Sequence, residues 1–305
     1  MEMLSLRAVV SIGTNSTRLL IARESVDGKL EPIVHRSIGT RLGANLKESG
    51  PLDAEARART LSVIDDYARE VRGYGADASA IATSAMRRAS DGEEFAGEVE
   101  QRLGGRLEIL SGSREAELSF IGATANRRHE GSVGVIDIGG GSTEYASGRE
   151  RVEGRVSCEI GAVRLSETIP ALLGADVPSD IPALENEARS YARTQLAPLR
   201  DFLHPAGVFA VGGTMFNAAA IVSDRDREDI DGIILTRTLL TELAQKFLAM
   251  DTPVRRVQPR ISPQRADIFP AGLLIADEAL GILGIDACTV SQRDLLYGYL
   301  IEKQR

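Results

Sequence analysis

The stretch "VIDIGGGSTEY", Val135 to Tyr145, repeats an earlier one, "VVSIGTNSTRL", Val9 to Leu19. Set 126 residues apart, both read as two apolar residues, a variable residue, Ile-Gly, two variable residues and Ser-Thr. The residue before the isoleucine is Asp137 in the second copy and Ser11 in the first. Each copy predicts a strand, a tight glycine turn and a second strand.

Working outward, the first copy opens three antiparallel strands. Residues 7–22 give two of them around Gly13. "VDGKL", Val26 to Leu30, carries an Asp-Gly hairpin signal, and a third strand follows at about 31–37. Helical spacing then covers 53–72, a strand 78–83, a helix 92–103, a strand 107–110 and a helix 113–128. The pattern restarts with strands at 132–138, 143–147 and 152–156. Helices follow at 162–173 and 181–203, then a strand at 208–211. The remainder reads as mostly helical, with a strand near 288–291. The polar stretch Asn126 to Gly131 marks the boundary, giving lobes of residues 1–126 and 127–305. The last segment, about 294–305, is expected to pack back on the first lobe. Two such modules predict an α/β protein whose lobes face across a cleft, the usual seat of a small ligand.

Composition narrows the function. A net charge of −8 and aromatic content of 4% without tryptophan speak against general nucleic-acid binding, which needs a basic face and stacking rings. No apolar run reaches the ~18 residues of a membrane helix, and no secretory signal pattern opens the chain. A cytoplasmic protein without a membrane partner is expected. Cys158 and Cys288 offer neither a disulfide framework nor zinc spacing, and their apolar surroundings predict buried thiols. His35, His129 and His204 stand alone in sequence.

"DIGGGSTE", Asp137 to Glu144, lacks the third glycine of a dinucleotide fingerprint and the lysine of a P-loop, and a strand follows it. What it offers is backbone. Gly139, Gly140 and Gly141 let successive N–H groups approach an anion, and Ser142 and Thr143 add hydroxyls. Asp137 and Glu144 are hard oxygen donors suited to Mg²⁺. A tight turn with a capping aspartate is the alternative. In the first copy Gly13, Thr14, Asn15 and Ser16 supply donors and Arg18 a permanent cation. "VGGTMF" places Gly212, Gly213 and Thr214 at the start of a helix, either an anion site or a Thr214 cap. Glu115, with Ser113 as the expected cap, sits in a first helical turn, where a glutamate also complements the helix dipole. Arg87 and Arg88 follow a short strand and are candidates for the cleft. Arg255, Arg256, Arg260 and Arg265 crowd one loop, either along a polyanion path or as a solvated, salt-bridged surface.

In order along the chain, "IGTNSTRLLIA", "ATSAMR", "ILSGSREAEL", "VIDIGGGSTE", "IGAVRLSE", "AVGGT" and "RADIFPAGLLI" resemble the exopolyphosphatase / guanosine pentaphosphate phosphohydrolase (Ppx/GppA) family over nearly the whole length. The length is similar to the short members, without the extra C-terminal domain. The resemblance implies two ribonuclease H-like lobes of the actin–hexokinase–Hsp70 superfamily. It implies hydrolysis of the terminal phosphoanhydride of polyphosphate or pppGpp with Mg²⁺, and a homodimer. It places Glu115 on the catalytic base and Asp137 on the metal-binding aspartate. Gly139 to Thr143 and Gly212 to Thr214 fall on the phosphate loops, and Arg18 and Arg265 on arginines that contact phosphates or an alarmone. The chain departs from the family pattern at four places. Ser11 replaces an aspartate, Arg88 an acid and Arg114 a glutamate, and "DLLYG", Asp294 to Gly298, stands where "GLREG" is usual. Three functions follow: a hydrolase; a degenerate polyphosphate or (p)ppGpp sensor with Ser11 as its signature; and, disfavoured by the Glu115 motif, an ATP-dependent kinase or ATPase.

Overall fold

The computed structural model describes residues 6–25, 29–125, 127, 129–202 and 205–303. The Val26–Gly28 part of the expected hairpin turn lies outside the described residues, as do His204 and Asn126. Strands β1 (Leu6–Ile12), β2 (Thr17–Glu24), β3 (Leu30–Ile38), β4 (Asp77–Ala82) and β5 (Leu107–Ile109) form one sheet. Its order is β3-β2-β1-β4-β5. The first three strands pair antiparallel, and β4 and β5 are added in parallel. Helices α1 (Ala54–Tyr74), α2 (Ser84–Arg88), α3 (Gly92–Leu103) and α4 (Gly112–Thr124) connect and follow them. In α1 the apolar period buries Leu61, Ile64, Ala68 and Val71, and the Asp53 carboxylate caps the helix by accepting from Ala56 N at 2.8 Å.

A second sheet holds β6 (Val133–Ile138), β7 (Thr143–Gly148), β8 (Val152–Cys158), β9 (Val208–Val211), β10 (Ile234–Thr236) and β11 (Ala287–Val290). Its order is β10-β11-β9-β6-β7-β8. Read from the β8 edge, it repeats the first sheet, with β11 in the place of β5 and β10 added outside. The sequence pattern missed β10, a strand of three residues that pairs antiparallel with β11. The repeat extends to register. Ser11 faces Arg18 across β1 and β2, and Asp137 faces Glu144 across β6 and β7. Gly13 N donates to Ser16 O at 3.0 Å, and Gly139 N to Ser142 O at 3.1 Å, closing the same turn twice.

The helices of the second half are α5 (Ala162–Thr168), α6 (Ile181–Gln195), α7 (Gly213–Ser223), α8 (Arg237–Leu248), α9 (Thr252–Arg256), α10 (Phe269–Leu283) and α11 (Leu295–Glu302). Two are shorter than periodicity predicts. After Thr168 and after Gln195 the chain tightens into 3₁₀ turns at Pro170–Leu173 and Ala197–Phe202, because Pro170 and Pro198 lack the amide that continues an α-helix. Nearly every residue of α10 is buried, as expected of a helix that is apolar on all sides. Its Asp277 and Glu278 are held by Arg189, Arg193 and Arg237.

Two elements join the halves. One face of α4 (Ala116, Phe120, Ala123) enters the core of the second sheet. Leu118 of the same helix meets Val9, Leu20 and Ile81 of the first sheet, together with Leu295, Leu296 and Leu300 of α11. Gly122 lies so close to α11 that a methyl group there would stand 2.1 Å from Asp294 O. Among the described residues no helix is long and apolar enough to cross a membrane.

Candidate active site

The two glycine turns meet. A methyl group on Gly140 would sit 3.2 Å from the Thr14 side chain and 3.3 Å from that of Asn15. One on Gly141 would lie 2.6 Å from Thr14 Oγ1 and 2.7 Å from Ser84 Oγ. Only residues without a side chain allow that approach. A third glycine stretch, Gly212 and Gly213, closes the cleft from the side. Gly212, at φ +97°, would place a methyl 2.8 Å from Asp137 Oδ1, and one on Gly213 would overlap the Arg265 guanidinium. Gly13, Thr14, Asn15, Ser16, Arg18, Glu115, Asp137, Glu144 and Arg265 line one cleft with the glycines 139–141 and 212–213. The free space is about 70 Å³.

One wall is acidic. Asp137 stands one residue before the end of β6, and its Oδ2 accepts from Ser119 Oγ of α4 at 2.8 Å. Glu144 is the second residue of β7, and its Oε1 accepts from Ser157 Oγ of β8 at 2.8 Å. Glu115, in the first turn of α4, is 5% exposed and ion-paired with Arg87. Burial pushes the Glu115 carboxyl up to about 7, against the opposing pull of Arg87. Burial also raises Asp137 to about 6, with the Asp294 charge adding to it. Glu144 is pushed well above the ordinary range by burial and then by Glu115 and Asp137. Three carboxylates that repel one another, Glu115 and Glu144 buried and Asp137 half-buried, call for protons or a cation. Among the described residues no group of three or more acidic, histidine or cysteine side chains forms a metal cluster. One or two carboxylates completed by substrate oxygens is the pattern of Mg²⁺ rather than zinc. The donor set of Asp137 and Glu144 therefore fits Mg²⁺.

The facing wall is cationic. Arg18 is paired with Asp294, which also caps α11 by accepting from Leu296 N at 3.0 Å. Arg265 donates to Ser16 Oγ at 2.8 Å and has no carboxylate within ion-pair distance among the described residues. Burial, followed by the Arg227 and Arg18 charges, lowers its pKa to about 9. Both polar side-chain atoms of Asn15, Ser84 Oγ and Arg87 Nη2 are buried without a protein partner. Such atoms are rare unless something else satisfies them. Those of Asn15 belong to a residue that lines the cleft.

Several sequence expectations change here. The Thr143 hydroxyl is spent on Ile160 O at 2.7 Å, tying β7 to the strand-to-helix turn, and does not face the cleft. Thr214 packs on Gly272 of α10, so it is neither a cleft residue nor the cap of α7, a position taken by Gly212. Arg87 does not line the cleft. It holds Glu115 and donates to Leu110 O at 2.7 Å. The cap of α4 is Ser111, two residues before Ser113. In the arginine loop, Arg255 is fully buried on four backbone carbonyls, Arg260 pairs with Asp224 and Asp226 on the surface, and Arg265 alone reaches the cleft. The Arg114 departure is structural: it pairs with Glu302 of α11. Cys158 and Cys288 are buried, and burial raises both thiols to about 12. Sequence reasoning missed Asp294, Ser119 and Ser84. The one available signal was the aspartate in "DLLYG".

A duplicated α/β fold with glycine turns meeting beside a row of carboxylates is the actin-like ATPase fold. The Ppx/GppA phosphatase family matches residues 20–304, and the chain belongs to that family. Exopolyphosphatase 2 of Mycobacterium tuberculosis is 34% identical over 316 aligned positions, spanning 95% of this chain and 96% of that protein. The crystal structure of the Aquifex aeolicus Ppx/GppA family member superposes with a TM-score of 0.81 at 28% identity, covering 99% of this chain and 98% of that one. An exopolyphosphatase from Cytophaga hutchinsonii, at 23% identity, shares the fold with a TM-score of 0.87 over 98% of this chain and 97% of its own.

Proposed function

We propose that this chain hydrolyses the terminal phosphoanhydride of inorganic polyphosphate or of pppGpp, with Mg²⁺ and with Glu115 as general base. The observation that carries the reading is the presence of Glu115, Asp137 and Glu144 in one cleft with both glycine turns. Water attacks the terminal phosphorus in line with the bridging oxygen. Glu115 takes one proton from it, the new P–O bond forms, and the bridging P–O bond breaks with its electron pair on the shortened chain. A base with a pKa of about 7 is matched to neutral pH, and the Arg87 ion pair fixes its direction. Asp137 and Glu144 would hold Mg²⁺, which supplies charge neutralisation at the phosphoryl oxygens. Arg265, Arg18 and the amides of the glycine turns balance the rest of the substrate's charge.

A sensor that binds without turning over is the second reading, favoured by Ser11, which lines the cleft and offers no carboxylate. Release of orthophosphate from polyphosphate, pppGpp and ATP, with and without Mg²⁺, separates the two. Mg²⁺-dependent release from polyphosphate or pppGpp supports the hydrolase. Tight binding without release supports the sensor, and a preference for ATP overturns both.

A further inference from the structure

Behind Arg18 a second cavity opens between the halves of the molecule. Its walls are Pro32, His35 and Arg36 of β3 on one side, and Phe216 of α7 with the turn at Arg227 and Glu228 on the other; Gln292 and Tyr297 close it. It is roomier than the catalytic cleft, about 340 Å³ against about 70 Å³. Arg18 lines both, so its side chain stands between the two spaces.

Three guanidinium groups line this cavity, and Glu228 is the single carboxylate among its lining residues. Arg18 is neutralised by Asp294, and Arg36 pairs with Glu70 at 3.1 Å. Arg227 differs: no carboxylate lies within ion-pair distance of it among the described residues. It rests over the Phe216 ring, 5.5 Å from the centroid, and burial followed by the Arg18 charge lowers its pKa. A half-buried cation facing another cation, without a counter-ion of its own, is stabilised when an anion enters. The aromatic rings do not invite a base. The Phe216 ring carries Arg227, and the Tyr297 ring carries Arg293 at 5.9 Å. Cations already occupy a stacking face of each ring.

We propose that this cavity is a subsite for the distal phosphates of a polyphosphate chain, with Arg227 and Arg36 as its ligands and Arg18 at the junction with the catalytic cleft. The proposal rests on the phosphohydrolase reading of the cleft. It makes chain length a determinant of specificity. A chain long enough to extend past Arg18 gains charge-assisted hydrogen bonds that a chain as short as tripolyphosphate gains less of.

The test is the ratio of kcat/KM for long-chain polyphosphate to that for tripolyphosphate, in wild type, Arg227→Gln and Arg227→Lys. Arg227→Gln lowers the ratio about tenfold, the size of one charge-assisted contact, and Arg227→Lys restores part of it. Arg36→Gln, at an exposed position that folding tolerates, moves the ratio the same way. An unchanged ratio in both glutamine variants overturns the proposal, whatever the absolute rates. A loss confined to pppGpp overturns it in favour of a nucleoside pocket. Equilibrium binding of long-chain polyphosphate and of tripolyphosphate is measured in parallel. If wild type releases no phosphate, the hydrolase reading fails, and the binding ratio still decides the subsite: a fall in Arg227→Gln supports it, and an unchanged ratio overturns it.

Discussion

The two glycine turns share one backbone and carry opposite chemistry. In β1 and β2 the cross-strand pair facing the cleft is Ser11 and Arg18; in β6 and β7 the equivalent pair is Asp137 and Glu144. Cross-strand partners stand side by side on one face of a sheet, so each pair sets the charge of its wall. The acidic pair is held by serine hydroxyls, from Ser119 and Ser157, that donate without cancelling its charge. The cationic partner Arg18 gains a full counter-charge, because Asp294 enters from α11. The duplication thus built the frame, and divergence at two positions per turn produced a cleft with a cationic wall and an acidic wall.

The comparison can be broken most severely at the base. Glu115→Gln is expected to lower kcat by about 10²–10⁴ while leaving polyphosphate binding intact. Full activity in that variant, measured as phosphate release alongside equilibrium binding, would remove the acidic wall from the chemistry. Next in size, Asp137→Asn at limiting Mg²⁺ is expected to cost roughly a hundredfold, about 3 kcal/mol, recovered in part by excess Mg²⁺. A loss that no Mg²⁺ concentration relieves would point to a structural role through Ser119 instead.

Making the turns alike sharpens the comparison from the other side. Ser11→Asp is expected to raise Mg²⁺ affinity and Mg²⁺-dependent hydrolysis, by about tenfold, since it adds one carboxylate near the ion. If a Mg²⁺ titration and the rate both stay at wild-type values, the missing carboxylate has no bearing on metal binding. A smaller effect is expected in the pH profile. Glu115 must be ionised to act as base, so kcat rises as pH increases through about 7. Arg87 pulls that value down, so Arg87→Ala is expected to move the midpoint to higher pH. A midpoint that shifts down, or not at all, would detach Arg87 from the base.

The smallest expected effect is on stability. Glu115 is raised from 4.5 to about 7 on folding, so the folded form binds the extra proton between those values. Without metal, stability contributed by this group falls as pH rises through that window, and it is not regained above it. Melting temperature is expected to drop by a few degrees over the same range and to depend less on pH in Glu115→Gln. A melting curve in which Glu115→Gln leaves the pH dependence unchanged would show that the acidic wall is already compensated by other groups.

Legibility in the sequence followed distance along the chain. The repeated turns, the first three strands of each half and the place of Asp137 and Glu144 were readable, because period-two alternation, a glycine and a Ser-Thr pair are local signals. The arginines were not. Arg255 and Arg265 stand in one loop with similar neighbours, and one is buried on carbonyls while the other reaches the cleft. Thr143 and Thr214 sit inside glycine-rich motifs, yet each points into packing made by a distant element. Only the fold supplies the partner that decides such a side chain's use.

The sequence by itself determined that two like modules exist, that each presents a glycine turn, and that one turn carries the acids. Periodicity and side-chain-free positions act over a few residues, and the chain carries them without help. Tertiary structure decided the rest: that the turns touch, that Arg87 holds Glu115, that Asp294 neutralises Arg18, and that Arg227 has no counter-ion among the described residues beside a cavity. Electrostatic partners are set by proximity in space and by the water that burial removes, and neither is written in any local run of residues.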